Sequence, residues 1–357
     1  MGIVVLRVSV DTLEVSFDGE LAEGVVAELD GLKAEAQELE CAQRFRSSRL
    51  FIEPKAFGLW RWRLTCRDFA VVLSPTLAAR GHRPSAQIRL SAFALSTRVT
   101  ADLLADATDA LRSLGDYRER GVSRIDVCAD VQGWVPTQDE MLGMACPATY
   151  RAIHLSGQQP QTFQYGKGDV VLRVYDKTAE LDHSGKAWMP EVWRECEGYD
   201  ASLPVTRIEA QLRSKPIKEL GFSSAGRVVA EAGTVFEWVL REWCQLRVPN
   251  GDKKVTRWPE HSVWSSVRAA ALTDTPCERA RRKSELLPLE EAAKRLVGLV
   301  ALSAAHYGDT TYIHALQMLS DLAEIQIEAD DVDFAALVAV KRKRLEAQMG
   351  WEPDVPF

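Results

Sequence analysis

The segment QTFQYGKGDVVLRVYDKTAEL, residues 161–181, shows the pattern on which the fold is built. Its second half alternates apolar and polar residues with a period of two, which predicts a β-strand with one buried face. The apolar face carries Val170, Leu172 and Val174, and the polar face carries Arg173, Tyr175 and Lys177. A tyrosine between two cations on a polar face is unusual for a packing residue. We therefore predict that Tyr175 is a nucleophile, with Arg173 and Lys177 as its catalytic neighbours.

Two further segments share this layout. In VSRIDVCADV, residues 122–131, apolar positions alternate with Arg124, Asp126, Cys128 and Asp130. In VTRIEAQLRS, residues 205–214, they alternate with Arg207, Glu209, Gln211 and Arg213. If the three strands are neighbours in one sheet, these side chains form one polar surface. Three separate solvated sheet faces are the alternative, since alternation alone does not place strands side by side.

Strand and helix patterns follow each other along the chain with mostly short turns between them. They predict an α+β fold, with a mostly antiparallel central sheet, flanking helices and a helical C-terminal portion. We predict a catalytic domain at 1–225 and a helical region at 226–357 that binds DNA or a partner. The polar loop 247–262 is a second candidate boundary. Single elements are predicted as a strand over 86–95, a helix over 225–243, and helices over 288–305, 311–328 and 331–348.

The composition excludes several classes of protein. No run of about 18 apolar residues occurs, so we expect no transmembrane helix and no membrane partner. The N-terminus resembles a first strand and not a signal peptide. The seven cysteines are scattered without a CxxC motif, which indicates a reducing cytoplasm. The formal net charge of −7 counts against indiscriminate nucleic-acid binding, although cations can still concentrate on one face.

The three strands, in this order, resemble the replication initiation factor family of rolling-circle plasmids, phages and integrative elements, the Rep_trans group with its related relaxases. The family signature is an RxDxxxD strand, a strand ending in RxYxK and an RxE strand. Here these motifs are Arg124-Ile125-Asp126-Val127-Cys128-Ala129-Asp130, Arg173-Val174-Tyr175-Asp176-Lys177 and Arg207-Ile208-Glu209. Gly166 stands before the tyrosine strand, as in the family. The resemblance covers roughly residues 1–225.

Family members nick one DNA strand at an origin, and the resemblance implies the same activity here. It makes Tyr175 the nucleophile that becomes linked to the 5′ phosphate, while the free 3′-OH primes synthesis. It also makes Asp126, Asp130 and Glu209 carboxylate ligands of Mg²⁺ or Mn²⁺. Plasmid members often have a second Glu two residues after the motif Glu, and this chain has Gln211 there. The charge at the implied metal site is lower as a result.

The chemistry of these residue types agrees with the resemblance. A phenol has a pKa of about 10 and is a poor nucleophile at neutral pH. The cations of Arg173 and Lys177, together with a divalent metal ion, would favour the phenolate. Carboxylate oxygens suit Mg²⁺ or Mn²⁺ better than zinc, and the metal would polarise the scissile phosphate. Candidate DNA contacts on the same polar surface are Arg124, Arg207 and Arg213.

Other roles for these residues stay open. Tyr175 could be a packed, hydrogen-bonded tyrosine, and Tyr165 is a second candidate nucleophile that lacks the flanking cations. Asp126 and Asp130 could pair with Arg124 and Arg207 in a structural salt network instead of holding a metal. We expect Asp176 and Glu180 to lie outside the polar face, solvated or supporting Lys177.

At the level of the whole protein we predict a cytoplasmic rolling-circle replication initiator. The alternatives are a conjugative relaxase with the same chemistry, an origin-binding protein that does not cleave, and an unrelated metal-dependent nuclease that uses water. The expected partner is origin DNA, with a host helicase and a second copy of the chain as further candidates. The residues do not identify the origin sequence or the type of mobile element.

Overall fold

The computed structural model describes residues 2–56, 58–74, 83–156, 159–184, 186, 188–274, 287–308 and 311–349. Within this part of the chain, eleven strands form one sheet and two short strands form a second. The strands are β1 (Val4–Leu21), β2 (Gln43–Arg44), β3 (Phe51–Ile52), β4 (Trp62–Thr65), β5 (Phe69–Leu73), β6 (Ala86–Leu90), β7 (Gly115–Gln132), β8 (Met144–Ala145), β9 (Arg151–Ser156), β10 (Gln159–Tyr165), β11 (Val170–Asp176), β12 (Thr206–Arg213) and β13 (Gln245–Leu246).

The order of strands in the large sheet is β2-β3-β4-β5-β6-β1-β7-β12-β11-β10-β9. Each of these neighbouring pairs is antiparallel. The two longest strands, β1 and β7, lie at the centre and pair along almost their whole length. Strand β8 pairs with β13 in the small sheet. The predicted α+β class with a mostly antiparallel sheet is therefore confirmed.

The α-helices that the structure describes flank the sheet and then make up the C-terminal portion. They are α1 (Val25–Glu38), α2 (Ala92–Thr97), α3 (Thr100–Arg112), α4 (Gln138–Leu142), α5 (Lys177–Ser184), α6 (Met189–Arg194), α7 (Ser214–Glu219), α8 (Ala225–Ala230), α9 (Ala232–Trp238), α10 (Ser262–Ala269), α11 (Leu287–Tyr307), α12 (Tyr312–Ala329) and α13 (Phe334–Met349). The last three confirm the predicted helical C-terminal portion. No helix in the described residues is long and apolar enough to cross a membrane.

Two elements differ from the sequence prediction. The strand predicted over 86–95 ends at Leu90, because the Ser91 hydroxyl accepts a hydrogen bond from the Ala94 backbone N–H at 3.1 Å and caps α2. The helix predicted over 225–243 is divided into α8, α9 and a π-helical turn at Val239–Trp243. Local apolar spacing predicted the helical content in this region, but it did not show where the helix axis is interrupted.

The larger of two hydrophobic clusters lies on one face of the large sheet and beneath its helices; the smaller one contains Leu6, Trp188 and Trp193. The buried side chains of the larger cluster run from Val8 in β1 to Val267 in α10 and include Phe236 and Leu240. Residues on both sides of position 225 belong to this cluster, which the sheet shares with the chain up to α10. The predicted division at 225 stays a prediction. The opposite face of the sheet carries the polar side chains of β7, β12 and β11.

Candidate active site

The three strands singled out by their alternation are neighbours in the sheet. Strand β12 lies between β7 and β11, and the register aligns the motif residues in rows. One row contains Tyr175, Arg207 and Asp130 at directly paired positions. The next row contains Arg173, Glu209 and Cys128. Because paired side chains stand on the same face of a sheet, the motifs form one polar surface.

Tyr175 is connected to Glu209 on this surface. The Tyr175 hydroxyl donates a hydrogen bond to Glu209 Oε2 at 2.8 Å. The second oxygen of this carboxylate, Oε1, accepts a hydrogen bond from Arg173 Nη1 at 3.2 Å. The phenol therefore has a proton acceptor in contact with it, and Arg173 holds that acceptor in place.

Lys177 contacts the tyrosine ring and not its hydroxyl. Its Nζ lies 5.6 Å from the centre of the Tyr175 ring and is 2.5 Å from a Glu180 carboxylate oxygen. The side chain is buried, and burial, with the charges of Arg207 and Lys186, lowers the pKa of Lys177. Glu180 supports Lys177, as one of the two sequence interpretations proposed, and an Asp176 carboxylate oxygen accepts a hydrogen bond from the Ala179 N–H.

Tyr175 and Glu209 line an open cleft of about 640 Å³. Four cationic side chains share the lining: Arg124, Lys167, Arg173 and Arg213. The carboxylates in the lining are Asp176, Glu180 and Glu209. A cleft of this size that combines several cations with a tyrosine hydroxyl is suited to a phosphodiester.

The protonation state of Tyr175 differs from the expectation. Burial, followed by the negative charge of Glu209, raises the pKa of Tyr175 well above its usual value, although Arg207 opposes this. The flanking cations therefore do not by themselves produce a phenolate, because Arg173 is engaged with Glu209 and Lys177 faces the ring. A nucleophilic Tyr175 has to lose its proton during the reaction, and Glu209 is the base within reach.

Arg207 and Asp130 form a buried ion pair behind the cleft. Arg207 Nε and Nη2 donate to the two oxygens of Asp130 at 2.6 and 2.9 Å, and Nη1 donates to Asp11 at 2.6 Å. The indole N–H of Trp193 donates to Asp130 at 2.8 Å. Arg207 is only 1 % exposed, so we reassign it from a DNA contact to this ion pair.

Burial acts to raise the pKa of Asp130, but the charge and hydrogen bonds of Arg207 outweigh it and bring this pKa below its usual range. Burial also acts to raise the pKa of Asp11, but the charges of Arg207, Lys186 and Lys177 outweigh it and lower this pKa. Sequence alternation did not find Asp11, because β1 shifts its register between Val10 and Thr12 and leaves Asp11 at the irregularity. No signal in the sequence identifies Asp11, because the shift of register becomes visible only when β1 is paired with β7.

Asp126 lies in the third row of the polar surface, opposite Gln211, and its side chain is paired with Arg124. Arg124 Nε donates to Asp126 Oδ1 at 2.8 Å, and a second hydrogen bond joins Arg124 Nη2 to Asp126 Oδ2. Burial raises the pKa of Asp126 to about 6, and the neighbouring carboxylates Glu209 and Asp11 add to this although Arg124 opposes it. The salt-network alternative thus describes both Asp126 and Asp130 in this structure.

The predicted metal ligands do not fit a cation as a set of three. Both oxygens of Asp130 are engaged by Arg207 and Trp193, and its side chain is fully buried. In the described parts of the chain, no group of three or more His, Cys, Asp or Glu residues is arranged to hold a metal ion. Asp126 is engaged in the same way, because both of its oxygens accept hydrogen bonds from Arg124 and its side chain is buried. Of the three predicted ligands, Glu209 is the one that lines the cleft.

Tyr165, the second candidate nucleophile, lies in a different environment. Its side chain is 4 % exposed, belongs to the hydrophobic core, and donates a hydrogen bond from its hydroxyl to the Met141 carbonyl at 2.8 Å. Burial raises the pKa of Tyr165 far above its usual value. We conclude that Tyr165 is a packing residue and that Tyr175 is the tyrosine of the cleft.

No family model matches the chain, and no curated protein sequence matches it. Among solved structures, the rolling circle replication initiator protein from Geobacillus stearothermophilus is similar to this chain, with a TM-score of 0.47 and 15% sequence identity. The match covers 77% of this chain and 100% of that chain. A likeness of this size establishes neither a shared fold nor a shared activity, so the proposal below rests on the geometry of the cleft.

Proposed function

We propose that this protein is a tyrosine-dependent DNA nickase and strand transferase with Tyr175 as its nucleophile. One observation carries the proposal: the Tyr175 hydroxyl is bonded to the Glu209 carboxylate in a cleft lined by four cations. The cations provide binding for phosphates, the hydroxyl is the group that attacks, and the carboxylate is the group that accepts its proton. A tyrosine in a purely packing role does not require this combination.

In the proposed reaction, Arg124, Arg213 and Lys167 bind the DNA backbone and bring one phosphate next to Tyr175. As the Tyr175 oxygen forms its bond to phosphorus, Glu209 accepts the phenolic proton. The bond from phosphorus to the 3′ oxygen breaks, and that oxygen takes up a proton, so the products are a 5′-phosphotyrosine and a free 3′-OH. Arg173 holds the Glu209 carboxylate in the orientation that receives the proton.

We include a divalent cation, Mg²⁺ or Mn²⁺, in the proposal, with Glu209 as its protein ligand in the cleft. Mg²⁺ is commonly bound through one or two carboxylates together with substrate phosphates, so one acidic side chain is compatible with binding when DNA is present. Bound there, Mg²⁺ or Mn²⁺ would neutralise negative charge on the phosphate. Asp126 and Asp130 are left out of this ligand set because Arg124 and Arg207 engage both oxygens of each carboxylate.

The biological setting that we propose is initiation of rolling-circle replication at an origin. The motif resemblance supports it, and a conjugative relaxase would use the same residues and chemistry. Origin DNA that is melted or extruded to a single strand is the proposed substrate. A host helicase, a second copy of the chain and a cytoplasmic location remain predictions from the sequence.

The first test is a nicking assay on supercoiled DNA that carries the sequence flanking the gene, with Mg²⁺ or Mn²⁺ and with a chelator. We expect wild type to relax the DNA and Tyr175→Phe to lose this activity by at least about 10³-fold, since no other nucleophile replaces the phenol. Tyr165→Phe is the matched control, because it removes a hydroxyl from the neighbouring strand while leaving the cleft unchanged.

The same assay tests Glu209. Glu209→Gln keeps an oxygen that accepts a hydrogen bond but removes the base, so we expect a loss of about 10²–10⁴-fold, as for other general bases. Equal nicking by Tyr175→Phe and wild type would refute the assignment of the nucleophile. Binding of the DNA without nicking by wild type would favour the origin-binding alternative.

A further inference from the structure

Two cysteines that the proposed reaction does not use face each other beside the small sheet. Strands β8 and β13 pair with Ala145 opposite Gln245. One step further along the same register places Cys146 opposite Cys244. No spacing motif links these cysteines in the sequence, and the pairing of two short strands brings them together.

The hydrogen bonds of the two strands define the geometry at this position. The Arg247 backbone N–H donates to the Gly143 carbonyl at 3.0 Å, which marks that pair as hydrogen-bonded. Hydrogen-bonded and non-hydrogen-bonded pairs alternate along antiparallel strands, so Cys146 and Cys244 occupy a non-hydrogen-bonded pair. The Cα atoms of such a pair are about 4.5 Å apart, which lies within the separation of about 4.4–6.8 Å that a disulfide spans.

The two thiols already interact and differ in character. Cys244 is fully buried and Cys146 is half-buried. The neighbouring Cys244 side chain, with a backbone contact from Ala148 and the charge of Arg151, lowers the pKa of Cys146 to about 7 although burial opposes it. Burial and the neighbouring Cys146 side chain raise the pKa of Cys244 well above its usual value. Cys146 therefore has the properties of an attacking thiol, and Cys244 has those of a resolving thiol.

We propose that Cys146 and Cys244 form a reversible disulfide, with a low-molecular-weight disulfide such as oxidised glutathione as the oxidant. The Cys146 thiolate attacks one glutathione sulfur, the glutathione disulfide bond breaks, and one glutathione thiolate leaves. Cys244 then loses its proton and attacks Cys146 Sγ, and the second glutathione leaves as a thiolate. Two protein thiols are oxidised, and one glutathione disulfide is reduced to two thiols.

The crosslink would join two segments beneath the edge of the Tyr175 cleft. Trp243, next to Cys244, packs against the turn between β10 and β11: a Cβ on Gly166 would lie 3.1 Å from its ring. The same turn contributes Lys167 and Gly168 to the cleft. The disulfide would therefore fix the position of Trp243, which packs against this turn. This inference goes beyond the proposed function and does not depend on it.

The test treats the full chain with defined ratios of oxidised to reduced glutathione, blocks the remaining thiols with N-ethylmaleimide, and analyses the unreduced digest by mass spectrometry. We expect one dominant crosslinked peptide that joins Cys146 to Cys244, reversed by reduced glutathione. A dominant crosslink between any other cysteines, or a Cys146 that stays free or stays glutathionylated in the wild type, would overturn the proposal.

Two other cysteines of the wild-type protein serve as controls, so this comparison needs no substitution. At pH 7 a thiol of pKa about 7 has about 50-fold more thiolate than one of pKa about 9, and lower nucleophilicity reduces this to about sixfold in rate. Cys66 and Cys196 have pKa values raised by burial, so Cys146 should react with iodoacetamide at least about sixfold faster than either. Equal rates for the three cysteines would contradict the assignment of Cys146 as the attacking thiol.

Variants separate the two steps. Cys244→Ser should accumulate the mixed disulfide of Cys146 with glutathione, because the resolving thiol is absent. The double variant Cys66→Ser, Cys196→Ser should form the Cys146–Cys244 crosslink as the wild type does. Failure of Cys244→Ser to accumulate the mixed disulfide while it retains the wild-type circular dichroism spectrum would refute the order of the two steps.

Discussion

Asp126 shows how the polar surface controls the charge of a single residue. Its carboxylate is buried and lies near Glu209 and Asp11, and Arg124 favours its ionised form. The folded-state pKa of about 6 lies above the usual value of 3.8. The folded protein therefore binds this proton more tightly than the unfolded chain does, and stability decreases as pH rises through the interval between the two values.

We predict that Asp126→Asn removes this pH dependence, since asparagine does not ionise. Between about pH 4.5 and 7.5, the free energy of unfolding of the variant should rise by about 2 kcal/mol relative to wild type. Urea unfolding at the two pH values measures the difference. The control is Asp106→Asn: Arg98 lowers the pKa of Asp106, so this carboxyl titrates below the interval and its replacement should leave the relative stability nearly the same at both pH values. An Asp126→Asn difference that is independent of pH would contradict the account.

The pairing of the motif residues could be predicted only in part from the sequence. Alternation placed Arg173, Tyr175 and Glu209 on polar faces, and the structure brings them into contact. Which carboxylate each arginine contacts depends on strand order and register, and neither can be read from a single strand. The sequence therefore allowed both a metal site and a salt network for Asp130. In the structure Asp130 forms an ion pair with Arg207, which corresponds to the salt network.

At the scale of elements, the β10–β11 hairpin positions Tyr175 and part of the cleft. Gly166 begins its turn with φ at +81°, a conformation that favours glycine. A Cβ at this position would lie 2.5 Å from the Val170 carbonyl oxygen, so the turn also lacks space for a side chain. The glycine singled out in the motif thus has a steric explanation.

We predict that Gly166→Ala lowers the free energy of unfolding by at least about 1–2 kcal/mol, from the left-handed backbone and the contact with the Val170 oxygen. It should also lower nicking, because the turn carries Lys167. Gly168→Ala is the matched control in the same turn: its Cβ would meet no atom within 4 Å, and its stability should change by less than about 0.5 kcal/mol. Equal stability of the two variants in denaturant unfolding would contradict this explanation.

The limits of sequence prediction differ between elements. Period-two alternation identified β7, β11 and β12 because polar and apolar residues alternate along each of them. On β12 and on the second half of β7 the polar face is buried as well, which alternation does not reveal. It missed the extension of β7 back to Gly115 and the small β8–β13 sheet, because a two-residue strand has too few positions to show a period. The Cys146–Cys244 pair depends on that small sheet and was not visible for the same reason.

At the scale of the molecule, the larger hydrophobic core covers one face of the sheet, and the other face carries the polar surface together with a smaller apolar cluster around Trp193. The core beneath the helices runs through α10, so a catalytic fragment that ends at residue 225 would lose part of it, including Trp264. The C-terminal helices α11–α13 expose apolar side chains of the kind found at interaction surfaces, including Leu302, Ile313 and Phe334. We propose that a partner covers these apolar side chains and that the boundary between the two regions lies after α10.

The most direct measurement of the central claim is to map a covalent protein–DNA adduct. The full chain is incubated with Mn²⁺ and a single-stranded oligonucleotide from the flanking sequence, then denatured, digested and analysed by mass spectrometry. We predict a nucleotide linked through its 5′ phosphate to the peptide that contains Tyr175, present in Tyr165→Phe and absent in Tyr175→Phe. Cleavage of the oligonucleotide with no adduct, or an adduct on another residue, would contradict the account.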